Sequence, residues 1–224
     1  MDWKPDAIGM LQVMLRVLCD KQVRTDAVFI HGSSIQDATL DDEMLRMAAS
    51  LYHAGLTRHV VINGDTAANC AAHGTVYPGY EIWSKKLEGA NVKRKDIFLT
   101  HPALHTAEES LNLMALVKAH GWGNLTLVAF PHQILRCMLQ FVSVMKWAGL
   151  TLPVYASTLR HSDWQRPAFK SVLGGGEIRG TYFDHIAAEF ERVVRYAKTG
   201  PGVKHTPHAT IPELLEYLYL RDFA

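Results

Sequence analysis

Residues 26–32 have the sequence DAVFIHG, a short apolar run that ends in a histidine and a glycine. A continuous apolar run bounded by a turn residue is typical of a strand that is buried on both faces. Similar runs recur along the chain, and longer segments with helical patterns separate them. The predicted strands are residues 26–32, 59–64, 96–101, 125–130 and 152–157.

The segments between the predicted strands have the periodicity of amphipathic helices. In residues 39–55, for example, Leu45, Ala48 and Tyr52 recur at helical spacing, and Gly55 fits the C-terminal stop. The tail differs, since residues 160–182 show no period and contain three consecutive glycines, which favours a loop. The predicted helices are residues 1–23, 39–55, 81–91, 109–121, 132–149, 183–200 and 210–222.

Strands that alternate with helices predict a parallel sheet covered on both faces. Right-handed crossovers then make the fold an α/β, Rossmann-like, doubly wound and mostly parallel sheet of about five strands. We expect a single domain over residues 1–224, in which an N-terminal helix (1–23) and a helical C-terminal extension (183–224) pack on the core.

The composition excludes several classes of protein. The chain has 224 residues, a hydrophobic fraction of 48% and a formal net charge of +1, so a nucleic-acid partner is not expected. Its three cysteines have no metal-binding spacing and are interpreted as buried reduced thiols. The most apolar window is interrupted by Gln140, Lys146 and Pro153, which disfavours a membrane span. We therefore expect a cytoplasmic protein of unknown oligomeric state.

Polar residues collect where the predicted strands end. Because ligands of such sheets bind outside the carboxyl ends of the strands, these residues are the candidates for a binding site. They are His31, Gly32 and Ser33 after the first strand, Asn63, Gly64 and Asp65 after the second, His101, His105, Thr106, Glu108 and Glu109 after the third, and His132 and Arg136 after the fourth.

The segment after the third strand combines a helix start with leftover polar groups. Thr106 and Glu109 have the S/T-x-x-E spacing in front of an apolar run, which predicts a capping box. Glu108 and His105 are not used by that cap, and so they are the residues that suggest a ligand site.

Other strand-end residues allow two interpretations. His132 and Arg136 lie on one helical face, either as surface polar residues or as anion binders at a positive helix N-terminus. Gly32 and Gly64 either form tight turns or let a ligand approach the backbone.

Established catalytic motifs are absent from the sequence. The turn after the first strand, HGSSIQD (31–37), lacks the dinucleotide fingerprint, and the G-x-S-x-G motif of hydrolases does not occur. A metal site is conceivable because imidazole suits zinc and iron, although no HxH or HExxH spacing supports it. Its ligands would be His31, His101, His105 and His132.

Four segments in a fixed order resemble motifs of the YdcF/SanA/ElyC-like family. They are DAVFIHGSS (26–34), LRMAASLYHAGLTRHVVINGD (45–65), HTAEESLNL (105–113) and FPHQILRC (130–137). The resemblance, to the soluble YdcF-like branch, extends over residues 24–218. Residues that match the family pattern are Gly32, Arg46, Gly64, Thr106, Glu108 and His132, whereas His31, Asp65, His105, Glu109 and Arg136 depart from it.

The resemblance implies a Rossmann-like domain that binds a nucleotide-like ligand, with S-adenosylmethionine as a candidate. We expect a small-molecule enzyme in which Glu108 and His132 transfer protons and Arg136 pairs with an anionic group. The other expected ligand contacts are Gly32, Ser33, Asn63, Gly64, Asp65, His105 and Thr106. Two alternatives remain open: a ligand sensor without turnover, and a metal-dependent hydrolase that uses the strand-end histidines.

Overall fold

A computed structural model of the chain describes residues 4–32, 38–158, 165, 167–171, 177–199 and 209–223. A short 3-10 turn (Arg94–Asp96) precedes the third strand. In chain order the helices and strands are α1 (Lys4–Leu18), β1 (Thr25–Ile30), α2 (Ala38–His53), β2 (Thr57–Ile62), α3 (Ala67–Ala72), α4 (Tyr80–Gly89), β3 (Ile97–Leu99), α5 (Thr106–His120), β4 (Leu125–Val128), α6 (Ile134–Ala148), β5 (Val154–Ser157), β6 (Pro167–Ser171), β7 (Glu177–Thr181), α7 (Tyr182–Thr199) and α8 (Ile211–Phe223).

The main sheet has five parallel strands in the order β3-β2-β1-β4-β5. This confirms the predicted α/β Rossmann-like fold. The chain moves outward from β1 to β3 on one side and then returns to build β4 and β5 on the other. The carboxyl ends of β1 and β4 therefore flank the topological switch point, where such sheets bind their ligands.

Both faces of the sheet are covered by helices, which explains why its strands have continuous apolar sequences. Along β1, Ala27 and Phe29 belong to a core that includes residues of α1, α5, α6 and α8. Val28 and Ile30 belong to a second core, which includes residues of α2 and α4. A strand with two buried faces has no polar positions to alternate with its apolar ones.

The prediction of irregular structure over residues 160–182 was wrong in part. Strands β6 and β7 form an antiparallel pair in which Phe169 lies opposite Arg179. The three glycines at 174–176 lie outside the described residues. Helix α3 was also missed, because its six residues are too few to show a period; Thr66 caps it by accepting a hydrogen bond from the Asn69 backbone at 3.1 Å.

Helix α8, in the C-terminal extension, contributes Leu214 and Leu218 to the core that includes residues of α1 and α6. Arg221 forms a buried ion pair with Asp20, at 2.7 Å, and Asp20 also accepts a hydrogen bond of 2.8 Å from the Ala156 backbone in β5. Arg16 of α1 pairs with Asp222 at 2.6 Å. Among the described helices, none combines the length and apolarity needed to cross a bilayer.

Candidate functional site

The switch point is closed by contacts between the segments that follow β1 and β4. The backbone N–H of His31 donates to the carbonyl of Val128 at 2.9 Å, which extends the β1–β4 pairing by one residue. The side-chain amide of Gln133 donates to the carbonyl of Gly32 at 2.8 Å. The start of α6 is thereby attached to the turn after β1.

His31 and Glu109 form a buried pair at this position. Nδ1 of His31 lies 2.8 Å from Oε2 of Glu109, and the side chains are 0% and 6% exposed. The second carboxylate oxygen accepts a hydrogen bond of 2.9 Å from the Gly32 backbone. An ionised carboxylate only accepts hydrogen bonds, so Nδ1 carries the hydrogen and Nε2 carries the lone pair in neutral His31.

The other ring nitrogen of His31 has no hydrogen-bond partner among the described residues, although it is buried. The rings of His31 and Phe29 are nearly perpendicular, with centroids 4.6 Å apart. Leaving a buried polar atom without a partner costs about 1–3 kcal/mol, so such atoms mark functional groups or bound water. A histidine oriented by a carboxylate, with its other nitrogen available, is the arrangement of a general base.

The predicted capping box of α5 was wrong. The N-cap residue is His105, which is half-buried and makes no side-chain cap hydrogen bond. Glu109 points to His31 instead of returning to the helix start. Glu108 takes a capping contact, because it accepts a hydrogen bond of 2.9 Å from the Leu104 backbone, and the Thr106 hydroxyl accepts one of 2.6 Å from Arg136.

Arg136 has protein partners, and its expected contact with a ligand anion stays a prediction. Its guanidinium forms an ion pair with Glu189 of α7, whose side chain is fully buried. Burial lowers the pKa of Arg136, but the charge of Glu189, its hydrogen bond and the other neighbouring groups together outweigh burial, and the net pKa is raised. Arg192 pairs with the other oxygen of Glu189 at 2.5 Å. Two guanidinium groups therefore share one buried carboxylate.

Helix α7 adds polar residues to the site that sequence reasoning missed. Tyr182, His185 and Glu189 are all buried and lie at positions i, i+3 and i+7 of one face. The signal was present: Glu189 lies among apolar residues of an amphipathic helix, where a solvated charge is not expected. The imidazole of His185 lies 6.0 Å from that of His132, and the ring of His132 stacks on Phe130 at 5.6 Å.

Residues after β2 maintain the structure of the rim. The side-chain amide of Asn63 donates to the Ala103 carbonyl at 2.7 Å and accepts from the Ala103 backbone N–H at 3.1 Å. A Cβ atom on Gly64 would lie 2.1 Å from the Thr100 carbonyl oxygen, so this position requires glycine. Asp65 is buried and accepts hydrogen bonds from Thr66 and Asn69. Contacts between these residues and a ligand stay a prediction.

The thiols differ in exposure. Cys70 and Cys137 are buried, as expected, whereas Cys19 is exposed. Burial raises the pKa of the Cys70 thiol to about 11, and the charges of Asp65 and Glu109 act in the same direction, although a hydrogen bond from Thr75 opposes them. A protonated thiol is a poor nucleophile, so Cys70 is not a reactive group of the site.

The four strand-end histidines have different surroundings. His31 is hydrogen-bonded to Glu109, His101 is exposed, His105 occupies the N-cap position of α5, and His132 stacks on Phe130. Within the described parts of the chain, no three His, Cys, Asp or Glu side chains are placed to hold a metal ion. The metal-dependent alternative stays a prediction. Ser33, another expected ligand contact, lies outside the described residues.

No protein-family model matches the chain, and no curated protein is significantly similar to it. Two structural features describe the chain instead. Its sheet topology is Rossmann-like, and His31 and Glu109 form a buried pair at the switch point. The resemblance to YdcF-like proteins stays a prediction.

Proposed function

We propose that the chain is a cytoplasmic small-molecule enzyme that binds a nucleotide-like or other anionic ligand over the carboxyl ends of β1 and β4. In this proposal His31 transfers a proton to or from the ligand, and Glu109 positions the imidazole. The observation that carries the proposal is Nε2 of His31, a buried nitrogen at the switch point with no hydrogen-bond partner in the described structure.

Two helix N-termini support an anionic ligand. Helices α5 and α6 each have 15 residues and begin at this edge of the sheet, and neither N-cap residue, His105 or Gln133, makes a side-chain cap hydrogen bond. The first backbone N–H groups of a helix lack intrahelical partners and carry a partial positive charge, which favours anions. S-adenosylmethionine remains a candidate ligand because of the resemblance to YdcF-like proteins.

The geometry suggests how the proton moves. In the neutral state, the Nδ1–H of His31 donates to Glu109, and the lone pair of Nε2 accepts a proton from the ligand. The carboxylate of Glu109 then stabilises the imidazolium. Proton transfer by Glu108 and His132 stays a prediction, but the geometry favours Glu109 over Glu108, since Glu108 is hydrogen-bonded to the backbone of Leu104.

A ligand screen followed by a point variant tests this function. Native mass spectrometry of the untagged protein with S-adenosylmethionine and common nucleotides identifies a ligand, and mass analysis of that ligand over time detects turnover. We expect His31→Gln to retain the ligand and lose turnover. His120→Gln is the control, because His120 is exposed at the far end of α5.

Each outcome separates the candidate functions. Full turnover in a folded His31→Gln protein would contradict the proton-transfer mechanism. A ligand that binds the wild-type protein and is never converted would favour a sensor over an enzyme.

A further inference from the structure

Two buried hydrogen-bond acceptors belong to the segments that meet at the turn after β1. Nε2 of His31 and Oε1 of Gln133 have no hydrogen-bond partner within the part of the chain that the structure describes. The two residues are 0% and 4% exposed. Buried polar atoms are rarely left unpaired, because the loss of their solvation is costly. The two atoms therefore mark a position that suits a hydrogen-bond donor.

The neighbouring hydrogen bonds fix both atoms as acceptors. Neutral His31 donates its Nδ1–H to Glu109, which leaves the lone pair on Nε2. The side chain of Gln133 is bonded to the carbonyl of Gly32 at 2.8 Å. Because a carbonyl oxygen only accepts, this contact uses the amide nitrogen of Gln133, and Oε1 remains an acceptor. Neither group can be reversed without the loss of a hydrogen bond.

The two acceptors are connected to the same face of the sheet and to the same glycine. The backbone of His31 continues the β1–β4 pairing, so its side chain lies on the face of Phe29, two residues earlier. That face belongs to the core that includes residues of α5 and α6, and Gln133 is the N-cap residue of α6. Gly32 donates its N–H to Glu109 and accepts from Gln133.

We propose that a water molecule donates one hydrogen to Nε2 of His31 and the other to Oε1 of Gln133, and that this water is a substrate of the enzyme. Water supplies two hydrogens from one small oxygen, and buried waters typically bind between otherwise unpaired polar atoms. The inference rests on the proposed function, since it names the source of the proton that His31 takes. The reaction class is then hydrolysis.

The second substrate is a carboxylic ester. His31 removes a proton from the water as the water oxygen bonds to the carbonyl carbon of the ester. Backbone N–H groups at the starts of α5 and α6, whose N-cap residues make no side-chain cap hydrogen bonds, stabilise the negative charge on the carbonyl oxygen. The ester C–O bond then breaks, and the imidazolium returns the proton to the leaving alkoxide. The products are a carboxylic acid and an alcohol, and His31 is neutral again.

A high-resolution crystal structure of the wild-type protein without added ligand tests the position of the water. We expect one ordered water within about 3.2 Å of both Nε2 of His31 and Oε1 of Gln133. Two acceptors that lie too far apart to share a water, or a position between them that holds no water, would overturn the inference. This measurement does not depend on whether any variant folds.

Hydrolysis of para-nitrophenyl acetate tests the role of the water. We expect Gln133→Met to lower kcat about tenfold with little change in KM, because the water loses one of its two orienting hydrogen bonds and the ester keeps its contacts. Gln140→Met is the matched control. Gln140 is also a buried glutamine with an unpaired Oε1 among the described residues, but it lies about two helical turns further along α6.

The kinetic outcomes decide the assignment. A slower reaction in deuterium oxide that requires His31 would support proton removal from water. Hydrolysis by the wild-type protein no faster than in buffer, or an unchanged kcat in a folded Gln133→Met protein, would overturn the inference. Thermal melting shows whether each variant is folded.

The two proposals fail in different ways. Turnover of a nucleotide-like ligand that depends on His31, without a water between the two acceptors, would leave the proposed function and remove the hydrolytic reaction. Full ester hydrolysis by a folded His31→Gln protein would contradict proton transfer by His31, and with it both proposals.

Discussion

His31 and Glu109 are 78 positions apart in the sequence, yet their side chains share a hydrogen bond of 2.8 Å. The contact joins the end of β1 to the first turn of α5, and Gly32 adds a backbone hydrogen bond to the same carboxylate. Neither ring nor carboxylate is exposed to an appreciable extent. The pair therefore combines a structural link with the chemistry of an oriented base.

Replacement of Glu109 by glutamine should reduce activity far more than replacement of its neighbour Glu108. We expect Glu109→Gln to reduce turnover by about two to four orders of magnitude, because the amide no longer stabilises the imidazolium of His31. Glu108→Gln should change turnover only slightly, since it alters a cap contact with Leu104. Steady-state kinetics on the ligand found by mass spectrometry measure both. The reverse order of effects would support the assignment of proton transfer to Glu108.

Substitution of Gly64 by alanine should strongly destabilise the protein. The added Cβ would lie 2.1 Å from the carbonyl oxygen of Thr100, a backbone atom that cannot move without disturbing the end of β3. We expect a loss of about 3 kcal/mol or more in the free energy of unfolding. Gly89→Ala is the matched control: its Cβ meets nothing within 4 Å, and alanine is the better helix former there. Urea denaturation that gave equal stabilities for the two variants would contradict the close approach.

Removal of a buried charge should cost more than removal of an exposed one. We expect Arg136→Met to destabilise the protein by about 3 kcal/mol, because Glu189 is fully buried and retains only part of its pairing. Lys146→Met removes an exposed ion pair with Glu213, and we expect a much smaller loss because water and salt screen exposed charges. Chemical denaturation measures the two losses, and similar values would show that Arg136 contributes little to the packing of α7.

The start of α8 should become less stable in acid. Glu213 accepts hydrogen bonds from Lys146 and from Thr210, and these lower its pKa from 4.5 to about 2. A lowered carboxyl pKa stabilises the folded state at neutral pH, and this contribution is lost as the pH falls from about 4.5 to about 2. Because Glu213 is partly exposed, we expect Glu213→Gln to cost less than about 1 kcal/mol at pH 7.

Thermal melting of the wild-type and Glu213→Gln proteins between pH 7 and pH 2 tests this dependence. The difference between their melting temperatures should shrink as Glu213 becomes protonated. A difference that stays constant over this range would mean that the carboxylate charge does not stabilise the helix start.

Patterns within single elements were sufficient to predict the main sheet and the edge at which the candidate residues collect. Residues 26–32 and 125–130 were predicted as strands, and β1 and β4 occupy most of each. His31 and His132 were placed after them, at one rim. These predictions succeed because a parallel strand that is buried on both faces has a continuous apolar sequence, which is visible without knowledge of its neighbours.

Contacts between elements could not be predicted in this way. The sequence has the S/T-x-x-E spacing at Thr106–Glu109 and again at Thr210–Glu213. At the second position the residues make the reciprocal hydrogen bonds of a capping box, with distances of 2.7 Å and 3.4 Å. At the first position, Glu109 binds His31 and Gly32. The local spacing is the same, and only the approach of β1 to α5 distinguishes the two glutamates.

The sequence by itself determined the five strands of the main sheet, their parallel arrangement and the edge where polar residues collect, because hydrophobic periodicity is a property of each segment alone. The tertiary structure decided which side chains meet: Glu109 with His31, Arg136 with Glu189, and His132 with His185. These pairs join segments that are far apart in the chain. Which residues pair depends on how the helices pack across the sheet, and this packing cannot be predicted from the pattern of a single segment.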